Sequence, residues 1–95
     1  MKRLRWTIPA EHDLIAIDEY WCGYSTERAD EVLDVIRQAG DFLAELPKAG
    51  PAMETRDFRK WRVRGTNYVL VYRASGEAVE ILRVHHASED WRRPG

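Results

Sequence analysis

The spacing of apolar side chains changes twice along this chain, and these changes limit the folds that it can adopt. Leu4, Trp6 and Ile8 alternate with polar residues, which predicts a half-buried strand that Pro9 ends. Helical spacing follows, and strand-like alternation returns from residue 58 onward. The sequence therefore predicts one strand, a helical section and a second group of strands.

Two helices are predicted in the helical section. Residues 10–22 form the first, whose apolar face consists of Leu14, Ile17, Trp21 and, beyond it, Tyr24. Ser25 or Thr26 caps the second helix, which Pro47 and the Gly50-Pro51 pair end. Its apolar stripe consists of Ala29, Val32, Leu33, Ile36, Ala39 or Gly40, Leu43 and Leu46. The short link predicts an antiparallel helical hairpin whose apolar face needs a cover.

Three strands with tight turns are predicted to supply that cover. Phe58, Trp61 and Val63 are interleaved with basic residues in an amphipathic strand. Turns are predicted at residues 65–67 and 74–77, and the strands that follow them at 68–73 and 78–86. The strand at 68–73, Tyr-Val-Leu-Val-Tyr-Arg, is apolar on both faces and is therefore expected in the middle of the sheet.

These elements predict a single α+β domain over residues 1–95. Its order is β-α-α-β-β-β, with the helical hairpin packed on one face of a small, mainly antiparallel sheet. A chain of 95 residues can bury one core but is too short to divide into two domains. The opposite face of the sheet, if the chain does not cover it, is open to partners.

Charge is distributed unevenly although the net charge is only −1. Residues 1–50 carry 6 basic and 10 acidic side chains, whereas residues 51–95 carry 9 basic and 6 acidic ones. Most of the basic side chains in the second half are arginines, whose guanidinium group fits carboxylates and phosphates. The clustering of these arginines on the predicted strands indicates a surface for an anionic partner.

Several classes of protein are excluded by simple features. The chain has no apolar run of about 18 residues and no signal-like start, so a cytoplasmic protein is expected. Cys22 is alone and is expected to pack as a small apolar side chain. His85 and His86 are adjacent on a strand and point to opposite faces, so a shared metal ion is not expected. No phosphate-binding glycine motif is present, and no cofactor is predicted.

The chain resembles the RelE/ParE toxin superfamily over nearly its whole length. The resemblance rests on the order of elements, on Leu46-Pro47 followed by Gly50, and on the strand that ends in Tyr72-Arg73. It rests above all on the segment from Ile81 to Trp91, Ile-Leu-Arg-Val-His-His-Ala-Ser-Glu-Asp-Trp. The resemblance implies a RelE/ParE-like fold and a toxin of a type II toxin-antitoxin module of the plasmid stabilisation type.

Two differences favour the ParE branch, which the resemblance associates with inhibition of DNA gyrase. Ribosome-dependent ribonucleases of the superfamily typically carry an arginine where this chain has Val69, and an arginine or tyrosine where it has Ala87. Without these groups, the charge that develops on a phosphate during cleavage lacks compensation. A messenger RNA endoribonuclease that uses Arg73 and His86 remains the alternative, and a degenerate member that only binds a partner is the third hypothesis.

The ParE interpretation predicts a binding surface in place of a catalytic centre. Contact with the target is predicted for Arg59, Arg62, Arg64, Arg73, His86 and Trp91, because of their charge and position. The family implies a cognate antitoxin that forms a hetero-oligomer with the toxin. An apolar groove for that antitoxin is predicted at Leu14, Ile17 and Trp21.

Overall fold

The predicted order of elements is confirmed in a computed structural model, which describes residues 2–54 and 56–87. The elements are β1 Arg3–Trp6, α1 Ile8–Cys22, α2 Thr26–Glu45, β2 Arg59–Arg62, β3 Tyr68–Ser75 and β4 Ala78–His86. Both helices pack on one face of a four-stranded sheet, so the predicted α+β class is also confirmed. No helix within the described ranges is long and apolar enough to cross a membrane.

The sheet has the strand order β1-β4-β3-β2. β1 runs parallel to β4, and the other two pairs are antiparallel. β3 lies in the interior of the sheet, as its doubly apolar sequence predicted. The two edges are formed by β1 and β2.

The start of α1 differs from the prediction. Ile8 does not continue the first strand but is the first residue of the helix, and its side chain is exposed. The hydroxyl oxygen of Thr7 accepts a hydrogen bond from the Ala10 amide at 3.4 Å and caps the helix. Pro9 lies in the first turn, where its missing N–H needs no helical partner, so proline starts this helix as well as ending the strand.

α2 begins and buries its apolar stripe largely as predicted. Ser25 is the cap, because its Oγ accepts from the Arg28 amide at 3.2 Å. The buried residues of the helix are Ala29, Val32, Ile36, Gly40, Leu43 and Ala44. Leu46 was placed on this stripe incorrectly, because α2 ends at Glu45 and the side chain of Leu46 is 54% exposed. Tyr24 likewise lies exposed in the link between the helices.

Two details of β3 and β4 were not visible in the sequence. β3 continues to Ser75, and the turn is reduced to Gly76 and Glu77, with Gly76 at a φ of 58°. The pairing of β3 with β4 shifts between Val71 and Tyr72, which leaves Leu82 as an extra residue in β4. This bulge reverses the alternation of side chains along β4.

Candidate functional site

The sheet face away from the helices carries a series of basic side chains. Residues paired across neighbouring strands point to the same side of a sheet, so the register defines rows of side chains. Three rows on this face are Arg62, Val69 and His85; Lys60, Val71 and Arg83; and Arg73, Glu80 and Arg5, and a fourth consists of Ser75, Ala78 and Arg3. We call this surface the basic sheet face.

The rows in between point towards the helices and form the core. One of them consists of Trp61, Leu70 and Val84, and another of Tyr72, Ile81 and Trp6. The bulge at Leu82 allows Ile81 and Val84 to reach the core together, although they are three residues apart. Arg83 and His85 consequently share the basic sheet face.

Part of the charge on this face is neutralised by neighbouring carboxylates. Glu80 accepts from Nε of Arg73 at 2.9 Å, and its other oxygen lies 3.7 Å from Nη1 of Arg5. Arg83 extends to the edge of the sheet, where its Nε lies 2.7 Å from the carboxylate of Asp13 in α1. Within the described residues, these pairs leave Arg3 on β1 and a larger group of basic side chains on and just after β2 without a carboxylate partner.

A cleft beside β2 contains most of the basic side chains that remain. It has a volume of about 480 Å³ and is lined by Pro51, Lys60, Trp61, Arg62, Arg64, Val69 and Ala87. Within the described part of the chain, Lys60, Arg62 and Arg64 make no ion pair, and Arg62 donates to the neutral Oδ1 of Asn67 at 3.0 Å. Three unneutralised cations on one short segment suit a carboxylate or phosphate partner. We call this the β2 cleft.

The centre of the basic sheet face is apolar. Val69 and Val71 occupy the middle of their rows and are each only 6% exposed. Phosphodiester cleavage requires cations held against the reacting phosphate together with an acid and a base. His85 shares a row with Arg62, but the residue between them is Val69. The arrangement is therefore better suited to binding an anionic surface than to cleaving one.

The structure brings only some of the predicted target residues together. Arg62 and Arg64 share the β2 cleft, and Arg73 lies on the same sheet face, paired with Glu80. Arg59 belongs to the helix side, where its Nη1 donates to the carbonyl oxygen of Gly50 at 2.7 Å. The predicted contact at Trp91 lies outside the described residues.

His86 is separated from the other predicted target residues. It pairs with Tyr68 across the sheet, and their rings meet edge to face at a centroid distance of 5.5 Å. Tyr68 points to the helix side, whereas Arg73 points to the basic sheet face. The catalytic pair of the ribonuclease alternative, Arg73 and His86, is therefore not assembled.

Two of the three residues predicted to bind the antitoxin lie in the core, and the third lies at its border. Leu14 and Ile17 are buried in the hydrophobic cluster between the helices and the sheet. Trp21 packs against that cluster, and its Nε1 donates to the hydroxyl of Tyr68 at 3.0 Å. Leu14 and Ile17 thus cover the sheet, whereas the half-buried Trp21 also lines two surface cavities, and an antitoxin contact there stays a prediction.

Lys60 and His85 belong to the basic sheet face but were not among the predicted contacts. The position of Lys60, two residues before Arg62 on the same strand, was a usable signal. The position of His85 on this face depends on the pairing register and on the bulge, and alternation within β4 reveals neither. Among residues 2–54 and 56–87, no group of three His, Cys, Asp or Glu side chains is placed to hold a metal ion.

Comparison with known sequences gives two matches. The family described as the ParE toxin of the type II toxin-antitoxin system parDE matches residues 4–91. "Putative toxin Y4kP" from Sinorhizobium fredii (strain NBRC 101917 / NGR234) is 36% identical over 90 residues, which cover 95% of this chain and 93% of that protein.

Solved structures of toxin-antitoxin systems share the fold. The chromosomal ParDE system from P. aeruginosa has a chain with a TM-score of 0.83 and 24% identity, covering 93% of this chain and 98% of the other. The RelBE2 complex from Mycobacterium tuberculosis has a chain with a TM-score of 0.69 and 25% identity, covering 90% and 96%. The intact E. coli RelBE complex gives 0.68 and 20%, covering 94% and 100%.

Proposed function

This chain belongs to the ParE toxin family of type II toxin-antitoxin systems, and we propose from that premise that it inhibits DNA gyrase by binding it. Inhibition by binding requires an exposed complementary surface and no catalytic centre. The β2 cleft, with Lys60, Arg62 and Arg64 outside any ion pair in the described part, is the observation that carries the proposal. Acidic protein side chains or DNA phosphates held by the gyrase complex are suitable partners for these cations.

The apolar centre of the basic sheet face supports binding over cleavage. Val69 stands where the ribonucleases of the superfamily typically carry an arginine, and its nearly complete burial leaves no cation at that point. Ala87 at the rim of the β2 cleft adds neither a cation nor a hydroxyl group. A phosphate bound there meets cations along one side only.

A messenger RNA endoribonuclease is the second candidate, for one specific reason. The bulge in β4 places His85 in the same row as Arg62, so a titratable side chain and a cation share one face. In this alternative, His85 takes the acid-base role that the sequence suggested for His86.

The proposal includes a cognate antitoxin that binds the toxin and neutralises it in the cytoplasm. The solved relatives whose fold this chain shares are described as toxin-antitoxin systems and complexes, which supports this partner. It also includes the stabilising role that the sequence resemblance implies. A cell that loses the gene pair can no longer make the antitoxin that restrains the toxin.

The decisive experiment compares two activities of one purified preparation. Supercoiling by DNA gyrase is measured with and without the chain, alongside ribosome-dependent cleavage of messenger RNA. We expect inhibited supercoiling or trapped cleaved DNA, with intact RNA. Cut RNA with normal supercoiling supports the ribonuclease candidate. The absence of both activities supports the third hypothesis, a protein that only binds its partner.

A further inference from the structure

Glu80 is an acidic residue in the middle of a basic surface. Among the described residues of the four rows on the basic sheet face, no other side chain is acidic. Glu80 lies on β4, between Arg73 of β3 and Arg5 of β1 in the same row. One of its carboxylate oxygens accepts from Nε of Arg73 at 2.9 Å, and the other lies 3.7 Å from Nη1 of Arg5. A single carboxylate therefore pairs with guanidinium groups on both neighbouring strands.

The stability of the sheet does not explain why this residue is acidic. The side chains of Arg73 and Arg5 are 38% and 70% exposed, and ion pairs at such exposed positions contribute little to folding because water and salt screen them. Glutamate is also less favourable in a strand than the β-branched residues are. The side chain of Glu80 itself is only 14% exposed, so its charge is fixed within the surface. These properties point to a role in binding.

Without the charge of Glu80, the basic sheet face would carry a band of cations across all its strands. The cations of the β2 cleft lie at one edge of the sheet and Arg5 lies at the other, with Arg73 between them. Four strands at a spacing of about 4.8 Å make this band roughly 14 Å wide. At about 3.4 Å per phosphate, a stacked single strand would place about four phosphates on it. Sequence-independent binding of single-stranded nucleic acid uses a basic track of this kind.

We propose that Glu80 is a specificity-determining residue, which keeps single-stranded nucleic acid off the basic sheet face by holding Arg73 and Arg5 in ion pairs. Asp13 neutralises Arg83 on the same face, so the cations that stay available lie mostly at the β2 edge. A compact anionic site on a target still reaches them there, whereas a long polyanion finds no track. This inference rests on the proposed function, because it states how the surface that contacts gyrase avoids cellular RNA.

Binding of a labelled single-stranded DNA tests the proposal in the absence of gyrase. The probe is a thymidine oligonucleotide of about 20 nucleotides, whose fluorescence anisotropy is measured from about 25 to 200 mM salt. Glu80→Gln removes the charge but keeps an oxygen that can accept from Arg73. We expect this change to lower the Kd for the probe by about tenfold or more at low salt. The slope of log K against log salt should steepen by about 1.4, because two more guanidinium groups contact phosphates at about 0.7 each.

Two further variants separate the position of the charge from the net charge. Glu19→Gln is the matched control, since it removes the same charge from an exposed position on α1, and its Kd should stay within about twofold of the wild-type value. Glu80→Asp keeps a carboxylate on the basic sheet face and should also bind the probe as weakly as wild type. Circular dichroism verifies that each variant is folded.

Equal Kd values for folded Glu80→Gln and wild type would overturn the inference. An equal gain in Glu19→Gln would assign the effect to net charge, and an equal gain in Glu80→Asp would show that the carboxylate does not exclude the probe. A gain without a steeper salt dependence would contradict the release of Arg73 and Arg5. The proposed function fails in a different measurement, since a wild-type chain that leaves supercoiling unchanged contradicts gyrase inhibition whatever the result with the probe.

Discussion

Tyr72 shows how one residue determines the shape of the segment between α2 and β2. Its ring is fully buried, and its hydroxyl accepts from the Gly50 amide at 2.9 Å and donates to the carbonyl oxygen of Pro47 at 2.8 Å. A Cβ at Gly50 would collide with the carbonyl oxygen of Lys60, so only glycine fits there. The pattern of Pro47, Gly50 and Tyr72 in the sequence is therefore one structural unit.

We expect Tyr72→Phe to lower the free energy of unfolding by about 1–3 kcal/mol, because the buried amide of Gly50 loses its partner. Urea unfolding at neutral pH measures this change. Tyr20→Phe is the control, since the hydroxyl of Tyr20 is on the surface and its removal should leave the midpoint nearly unchanged.

The pH dependence of the same variant provides an independent check. Burial raises the pKa of Tyr72 above its ordinary value of 10.0, so the folded state retains the phenolic proton longer than the unfolded state does. The stability that this proton provides is complete below pH 10 and is lost as the pH rises towards the folded pKa. Tyr72→Phe should therefore lose less stability than wild type above pH 10. Parallel losses would contradict this assignment.

α1 completes the sheet as well as covering it. β1 pairs with β4 only from Ala78 to Ile81, and beyond that point the edge of β4 meets α1. Asp13 accepts from the Val84 amide at 2.8 Å and from Arg83 at 2.7 Å. One carboxylate thus satisfies a strand amide that has no neighbouring strand at this edge.

We expect Asp13→Ala to cost about 1–3 kcal/mol of unfolding free energy, since the Val84 amide loses its acceptor. Urea unfolding gives the size of the effect, and faster hydrogen exchange at Val84 locates it. Glu19→Ala, at an exposed site on the same helix, should change both little. Exchange at Val84 that matches wild type would show that the carboxylate is dispensable.

The whole molecule presents two surfaces of opposite charge. The solvent-facing side of the helical hairpin is mostly acidic, whereas the sheet face opposite the helices is basic, and among the described residues most of its unpaired charge lies in the β2 cleft. The acidic first half of the sequence and the basic second half therefore contribute most of the charge of two opposite faces of the fold. A partner that recognises the basic side must be anionic, and its binding must weaken with salt.

We expect the double change Lys60→Glu and Arg62→Glu to abolish gyrase inhibition and growth arrest while the fold persists, because reversed charge in the β2 cleft repels an anionic target. Supercoiling assays at several salt concentrations measure the effect, and circular dichroism verifies the fold. Arg37→Glu, on the exposed side of α2, should retain inhibition. Full inhibition by the folded double variant would refute a target contact at the β2 cleft.

The sequence by itself determined the order of elements, the choice of Ser25 or Thr26 as the cap of α2 and the limits of β4, because these depend on periodicity and on interactions between near neighbours. The sequence also located the apolar face of α1, but it did not show what that face contacts. Leu14 and Ile17 were assigned to a partner, although the sheet of the same chain covers them.

Only the tertiary structure decided which side chains share a surface. The bulge at Leu82 sets His85 on the basic sheet face and His86 on the helix side, away from Arg73. It arises from the pairing of two strands, whereas the separation of Arg59 from Arg62 follows from simple alternation along β2. Alternation along one strand is a local property, whereas register, and which face the helices cover, depend on contacts between residues far apart in the chain.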